Sequence, residues 1–415
     1  MLREANSKKI LIKLRERANS KIKKCKKQSV FRCKHNVFLL FSSQMKQILA
    51  FIKKETVFSA AFLCALISAF FVHPDAHYAS YIDWNTIFIL FSLMAVVASL
   101  RKCGLFDALG ARLCSAVGSL RTLSAFLIAL CFFSSMLITN DVALLTFVPF
   151  ALLLLRDSPQ KTAMKVVIFQ TIAANTGSML TPIGNPQNLY LFQKMGASVL
   201  HFILCLLPYT LASIALLALS LFFIPNTKIN VASICQGGAR HVKISKIIPS
   251  ALLFVLCLLS VMRLVPKSIS ALVVGVFFLV TDRNVLRRVD YMLLLTFGAF
   301  FIFTGNLSRL DAVKTALEGA VRGNEIVSAV ISSQVISNVP AALLLSPFAQ
   351  SLEKLLVGVN IGGLGTLVAS LASLISYKIF CTDKKNQPKG AYLGWFSLAN
   401  FAFLALLLAL SHLIA

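Results

Sequence analysis

The sequence predicts an all-α polytopic membrane protein, built as an inverted repeat with two re-entrant helical hairpins and two broken transmembrane helices. Three observations lead there. The 415-residue chain is 58% hydrophobic and 13% charged, with mean hydropathy +0.81, whereas a soluble chain carries roughly a quarter charged residues. The apolar residues fall in long blocks, many near the ~20 residues that cross a bilayer as a helix. Polar stretches bearing glycine and proline interrupt those blocks at matching places in two halves of the chain. Such a composition excludes a soluble enzyme.

The elements follow in order. Residues 1–54 form a basic tail, "KIKKCKKQSVFRCKHN" at its centre, without the form of a cleavable signal peptide. It reads as a solvated cytoplasmic tail able to touch anionic lipid. Met45, followed by "KQILAFIKKETVFSAAF", resembles a membrane-protein start, so residues 1–44 are a candidate upstream extension. A first repeat is expected over 55–225, a cytoplasmic linker over 226–246 and a second repeat over 247–415. Apolar blocks occupy 57–73, 85–100, 122–155, 164–192 and 200–224 in the first half. Those of the second are 247–264, 269–281, 291–306, 326–350, 355–377 and 395–415.

Net charge +26 would suggest nucleic acid in a soluble protein. Topology explains it better, and no nucleic-acid partner is expected. If the N-terminus is cytoplasmic and 122–155 and 326–350 enter and leave on one side, the cytoplasmic stretches hold 34 of the 41 Lys and Arg. That is the bias of the positive-inside rule. A full crossing in place of either hairpin would invert every later loop. The C-terminus then lies outside, in a multi-pass protein of the cell membrane. Ten cysteines show no CxxC pair and imply neither a disulfide framework nor a zinc site. The loop "HPDAH" (73–77) has ligand-type residues but reads as a short external loop.

The repeat shows in three alignments. Asp83-Trp84 matches Asp290-Tyr291 at an offset of 207, each opening an apolar helix that runs into an amphipathic segment ("RKCGLFDALGARL" and "SRLDAVKTALEGAVR"). Two hairpins follow with polar tips, "SSMLITNDVALL" and "SSQVISNVPAALL", in which Asn140 matches Asn338. Then "NTGSMLTPIGNPQNL" from Asn175 matches "NIGGLGTLVASLASL" from Asn360 at an offset of 185, pairing Gly177 with Gly362, Thr181 with Thr366, Gly184 with Ala369, Asn185 with Ser370 and Asn188 with Ser373. Opposite entry of the two hairpins makes the repeat inverted, the architecture of secondary transporters. Unpaired backbone groups are too costly to face lipid, so a mid-membrane break must line a protein-enclosed polar cavity. Glycine permits the unwinding; Pro182 and Pro186 remove donors and keep the helix open. Freed amides suit an anion and freed carbonyls a cation.

The motifs "ITND…PF", "TPIGNPQN" and "SNVP" resemble the ion transporter superfamily over about 57–415. That group includes divalent anion/sodium symporters, citrate transporter-like and arsenite transporter-like permeases, and some sodium–proton antiporters. The resemblance implies about eleven membrane helices, a homodimer and elevator-like movement of a transport domain against a scaffold. Carboxylate symporters of the superfamily carry Ser-Asn-Thr at both tips. Here the tips read Thr139-Asn140-Asp141 and Ser337-Asn338-Val339, and the Asn-Asp tip looks more like the arsenite, antiporter and uncharacterised permease branches.

The candidate substrate-binding residues are Thr139, Asn140 and Asn185 in the first half and Ser337, Asn338 and Thr366 in the second. For the coupling cation, Na⁺ or H⁺, the candidates are Asp141, Asn175, Thr176, Gly177, Thr181 and Asn188, with Asn360, Gly362 and Gly363. Each Asn, Ser or Thr has a plainer reading as a helix–helix hydrogen bonder. Asp141 has one as a cap of the second hairpin arm. It is the one acid expected deep in the membrane, where ionisable groups are usually functional, and no Lys, Arg or His is expected in the core. An ionised Asp141 beside a bound anion would repel it, so it must be protonated or neutralised by Na⁺ when the anion binds. The reading is a cation-coupled secondary transporter of a small anion such as a di- or tricarboxylate, with no further cofactor and no metal beyond Na⁺. A sodium–proton antiporter and an arsenite exporter are the rivals within the class. A membrane-embedded enzyme lacks an Asp-rich prenyl-phosphate motif, HExxH or an intramembrane Ser/His pair. A channel lacks a continuous polar-faced helix.

Overall fold

Proline, glycine and buried capping groups divide the chain into helices of unequal length. The computed structural model describes residues 55–104, 118–156, 158–228, 244–382 and 389–414. The tail 1–54, most of the first amphipathic segment and most of the linker lie outside them. In chain order the described helices begin with α1 (Thr56–Phe71), α2 (Tyr78–Tyr81), α3 (Trp84–Lys102), α4 (Leu120–Ile138), α5 (Asn140–Leu154) and α6 (Gln160–Ser178). Next come α7 (Pro186–Met195), α8 (Val199–Ser220), α9 (Ile244–Val261), α10 (Lys267–Thr281), α11 (Arg283–Leu286) and α12 (Tyr291–Ser308). The series closes with α13 (Asp311–Val321), α14 (Glu325–Ile336), α15 (Asn338–Leu345), α16 (Leu352–Ile361), α17 (Leu371–Thr382) and α18 (Lys389–Ile414).

The protein is an all-α membrane protein. Among the described residues, five helices, Trp84–Lys102, Leu120–Ile138, Val199–Phe223, Tyr291–Ser308 and Lys389–Ile414, are long and apolar enough to cross a bilayer, and shorter apolar helices accompany them. Large apolar side chains such as Phe70, Phe222, Val280 and Leu413 stand exposed, while Asn188, Thr176, Ser373 and Asn400 are wholly buried. That inside-out distribution suits a surface in contact with lipid, not water.

The two aspartates aligned by sequence act alike. Asp83 caps α3 by accepting from the Thr86 amide at 3.2 Å, and Asp290 caps α12 by accepting from the Leu293 amide at 2.9 Å. Their backbones also agree, at φ −77°, ψ 85° and φ −79°, ψ 83°. In the loop between α1 and α2, Asp75 binds Arg309 at 2.8 Å, and the guanidinium beside it holds its carboxyl below the usual range. "HPDAH" is thus engaged in an ion pair.

Helices α4 and α5 pack together and are interrupted at Thr139; α14 and α15 are interrupted at Ser337. At 1.5 Å per residue, α15 is only about 12 Å long, too short to cross ~30 Å of hydrocarbon. Helix α4, at 19 residues, is long enough, so length alone does not separate a hairpin arm from a crossing there. Farther along, α6 stops at Ser178 and α7 restarts at Pro186, with proline at the first helical position, where no amide bond is lost. The chain between α16 and α17 turns at Gly365, whose φ of +105° disfavours a side chain.

Candidate functional site

Thr139 (φ 70°, ψ 149°) and Ser337 (φ 75°, ψ 153°) share one unusual backbone conformation. Positive φ at a non-glycine residue costs of order 1–3 kcal/mol and persists only where surroundings over-determine it. The breaks supply those surroundings. The Asn140 amide donates to Gly184 O at 3.1 Å, and the Asn338 amide to Ala369 O at 2.9 Å. Thr181 Oγ1 donates to Met136 O at 2.5 Å, and Thr366 Oγ1 to Gln334 O at 3.1 Å. Gly177 packs on Phe132 and Ser135, Gly362 on Ser333, and a Cβ at either would overlap them. Each bond in one half has its counterpart, by the sequence alignment, in the other.

The asparagines then cross between halves. Asn175 Oδ1 accepts from Asn140 Nδ2 and from Ser370 Oγ, both at 3.0 Å, and Asn175 Nδ2 donates to Ser373 Oγ at 3.4 Å. Asn360 Nδ2 donates to Asn188 Oδ1 at 2.7 Å, and Asn360 Oδ1 accepts from Asn185 Nδ2 at 3.4 Å. So Asn175 holds Ser370 and Ser373, while its counterpart Asn360 holds their counterparts Asn185 and Asn188. Asn188 Nδ2 also donates to the carbonyls of Ser178, Met179 and Thr181, which the break of α6 has released. These side chains are buried and mutually satisfied, the condition under which a polar network specifies one packing.

A cavity of about 990 Å³ lies beside this network. It follows α5 from Asp141 to Leu153 and α3 from Leu90 to Lys102, with mostly apolar walls. Thr139, Asp141 and Asn185 line it, as do Arg101, Lys102, Arg288 and Asp290. Arg101 reaches the Leu145 carbonyl at 3.0 Å, and Lys102 pairs with Asp282 at 2.6 Å. Asp141 is half-buried in the first turn of α5, and no amide cap bond to its carboxylate forms among the described residues. Thr139 occupies the cap position and forms no side-chain cap bond either, so local capping does not explain Asp141.

Of the sequence-predicted residues, Thr139, Asp141 and Asn185 line the cavity. Asn140, Asn175, Asn188 and Asn360 form the network beside it. Thr181, Thr366, Gly177 and Gly362 fasten the tips, Gly363 closely approaches the Asn338 amide group, and Ser337 Oγ donates to Ala369 O at 3.4 Å. Thr176 stands apart, its hydroxyl donating back to Ile172 O in its own helix at 2.8 Å. The structure adds Arg101 and Lys102, from the last turn of α3, and Arg288, from the turn before α12, to the cavity wall. It also adds Gln334, whose Nε2 donates to Gly362 O at 2.9 Å and Leu364 O at 3.0 Å while its Oε1 accepts from the Thr366 amide at 2.9 Å. Gln334 stood in the quoted tip as a polar residue opposite the apolar Met136 in the repeat, a signal that could have been read.

The sequence profile of the family described as "Citrate transporter" matches residues 47–375. An uncharacterized transporter of Methanocaldococcus jannaschii is 35% identical over 305 residues, covering 72% of this chain and 81% of that one. The inner membrane protein YbiR of Escherichia coli is 32% identical over 302 residues, covering 72% and 80%. The silicon efflux transporter LSI3 of Oryza sativa is 33% identical over 147 residues, covering 35% of this chain and 30% of its own.

Proposed function

The chain belongs to the citrate transporter family, and from that premise we propose that it is a cation-coupled secondary active transporter of a small anion, of the di- or tricarboxylate class. It works by elevator-type alternating access, as a homodimer in the cell membrane, with the N-terminus cytoplasmic and the C-terminus outside. Helices α4–α5 and α14–α15 are the two re-entrant hairpins of an inverted repeat of about eleven membrane helices. The carrying observation is the cavity that brings Thr139, Asp141 and Asn185 into one space with Arg101, Lys102 and Arg288.

The anion enters from the side of those cations, whose loops are cytoplasmic in the proposed topology. Their field raises its local concentration. The Thr139 hydroxyl, the Asn185 amide and the N-terminus of α7 then receive it, the last through its partial positive charge. An ionised Asp141 opposes binding until H⁺ or Na⁺ neutralises it, which couples cation to anion. The crossing bonds of Asn175 and Asn360 tie both breaks together, so the tips move as one body.

A second reading has its own observation. The rice relative is named a silicon efflux transporter, and the first tip carries Asp141 where carboxylate symporters carry threonine. An oxyanion efflux permease of the arsenite type, or a sodium–proton antiporter, would use the same cavity. Proteoliposomes given labelled carboxylates and oxyanions under imposed Na⁺ or H⁺ gradients decide between them. Asp141→Asn keeps shape and removes titration. It is expected to insert normally and lose gradient-driven accumulation; accumulation at the wild-type level would end the coupling role.

A further inference from the structure

We propose that His201, Cys205 and Glu353 form a binding site for a zinc-like divalent cation, on a face of the protein separate from the cavity. His201 and Cys205 stand four residues apart in the first turns of α8, which places them on one side of the helix. Glu353 comes from the first turn of α16. Both helix starts are anchored: Ser198 Oγ accepts from the His201 amide and Ser351 Oγ from the Lys354 amide, each at 3.2 Å. The backbone that carries the three side chains is therefore fixed before any ligand arrives.

One ligand atom from each residue lies within 4.8 Å of the other two. His201 Nε2 is 2.7 Å from Glu353 Oε1 and 3.6 Å from Cys205 Sγ. With metal–ligand bonds of about 2.1–2.3 Å, tetrahedral ligands sit about 3.4–3.7 Å apart. The His–Cys distance already matches. The His–Glu hydrogen bond must open by about 0.7 Å, which side chains 48% and 54% exposed can do by small rotations. Imidazole, thiolate and carboxylate together suit zinc and its neighbours better than magnesium or calcium. Binding displaces the Cys205 proton; thiolate and carboxylate then balance the two positive charges, and water takes the fourth position. An occupied site joins α8 to α16.

The test uses untagged full-length protein in detergent. Equilibrium dialysis with Zn²⁺ counts bound metal, and Co²⁺ in its place reports sulfur ligation by a thiolate-to-metal absorption band. The wild type is expected to bind one more equivalent than either His201→Ala or Cys205→Ser, and Cys205→Ser to lose the band. Glu353→Gln is expected to weaken binding by at least about tenfold. Equal metal content in wild type and variants, or loss in only one of His201→Ala and Cys205→Ser, overturns the site. Thermal unfolding of each variant without metal separates loss of ligation from loss of fold.

Discussion

Gly177→Ala tests whether the first break and the first tip are one packed unit. The added Cβ would overlap the Phe132 carbonyl oxygen and stand 2.7 Å from Ser135 Oγ and 2.8 Å from Phe132 C. Ordinary contacts begin near 3.4 Å, so the overlap with the Phe132 carbonyl oxygen requires α4 to retreat by roughly 1 Å. The Phe132 atoms are backbone and cannot rotate away. Overpacking of this kind costs about 1–3 kcal/mol. The retreat also strains the Thr181–Met136 and Asn140–Gly184 bonds, each contributing about 1 kcal/mol. Gly298→Ala in α12 is the control, because nothing lies within 4 Å of a Cβ there. Alanine also favours a helix interior by up to about 1 kcal/mol. Thermal unfolding in detergent should place Gly177→Ala below wild type and Gly298→Ala at or above it. Proteoliposome uptake should fall in the first only. If Gly177→Ala unfolds with Gly298→Ala and transports normally, the tip does not rest on the break and the reasoning fails.

Asn360→Ala removes the donor to Asn188 Oδ1 and one of the two acceptors of Asn185 Nδ2, which keeps Ser178 Oγ, so one buried amide oxygen is left unsatisfied; a loss of about 1–2 kcal/mol is expected in thermal unfolding, with transport lost. Thr176→Val should change neither, since its hydroxyl only returns to its own helix; a transport defect there would restore Thr176 to the site. The hydrogen bond from Lys102 holds the Asp282 carboxyl below the usual carboxylate range. A depressed folded-state value gives stability that is present above the unfolded value and lost as pH falls through the folded one. Unfolding midpoints of wild type should therefore exceed those of Asp282→Asn near neutral pH and converge with them in acid; parallel curves would remove the pair from the stability of this face.

Much of the fold was legible in the chain because it depends on neighbours in sequence. Apolar blocks mark helices, Asp83 and Asp290 cap the residues three positions on, and proline at 186 restarts a helix that glycine and threonine let end. The helix interruptions at Thr139 and Ser337 were legible because Thr139-Asn140-Asp141 and Ser337-Asn338 are polar stretches inside apolar runs. Which of those residues face the cavity was not legible. Asn140 is turned inward to Asn175, while its neighbours Thr139 and Asp141 meet the open space, a division set by one residue of positive φ and by the helix packed behind it. Sequence likewise paired Asn175 with Asn360 as equivalents but gave no means to see that each binds the other half's serines or asparagines. Arg101 and Arg288 looked like loop cations until α3 and the turn before α12 were placed against α5. Short-range hydrogen bonding and hydropathy are written into a few consecutive residues. The partners of a buried side chain belong to other elements, 35 positions away for Asn140 and Asn175 and 198 for Asn175 and Ser373, and only packing in three dimensions selects them.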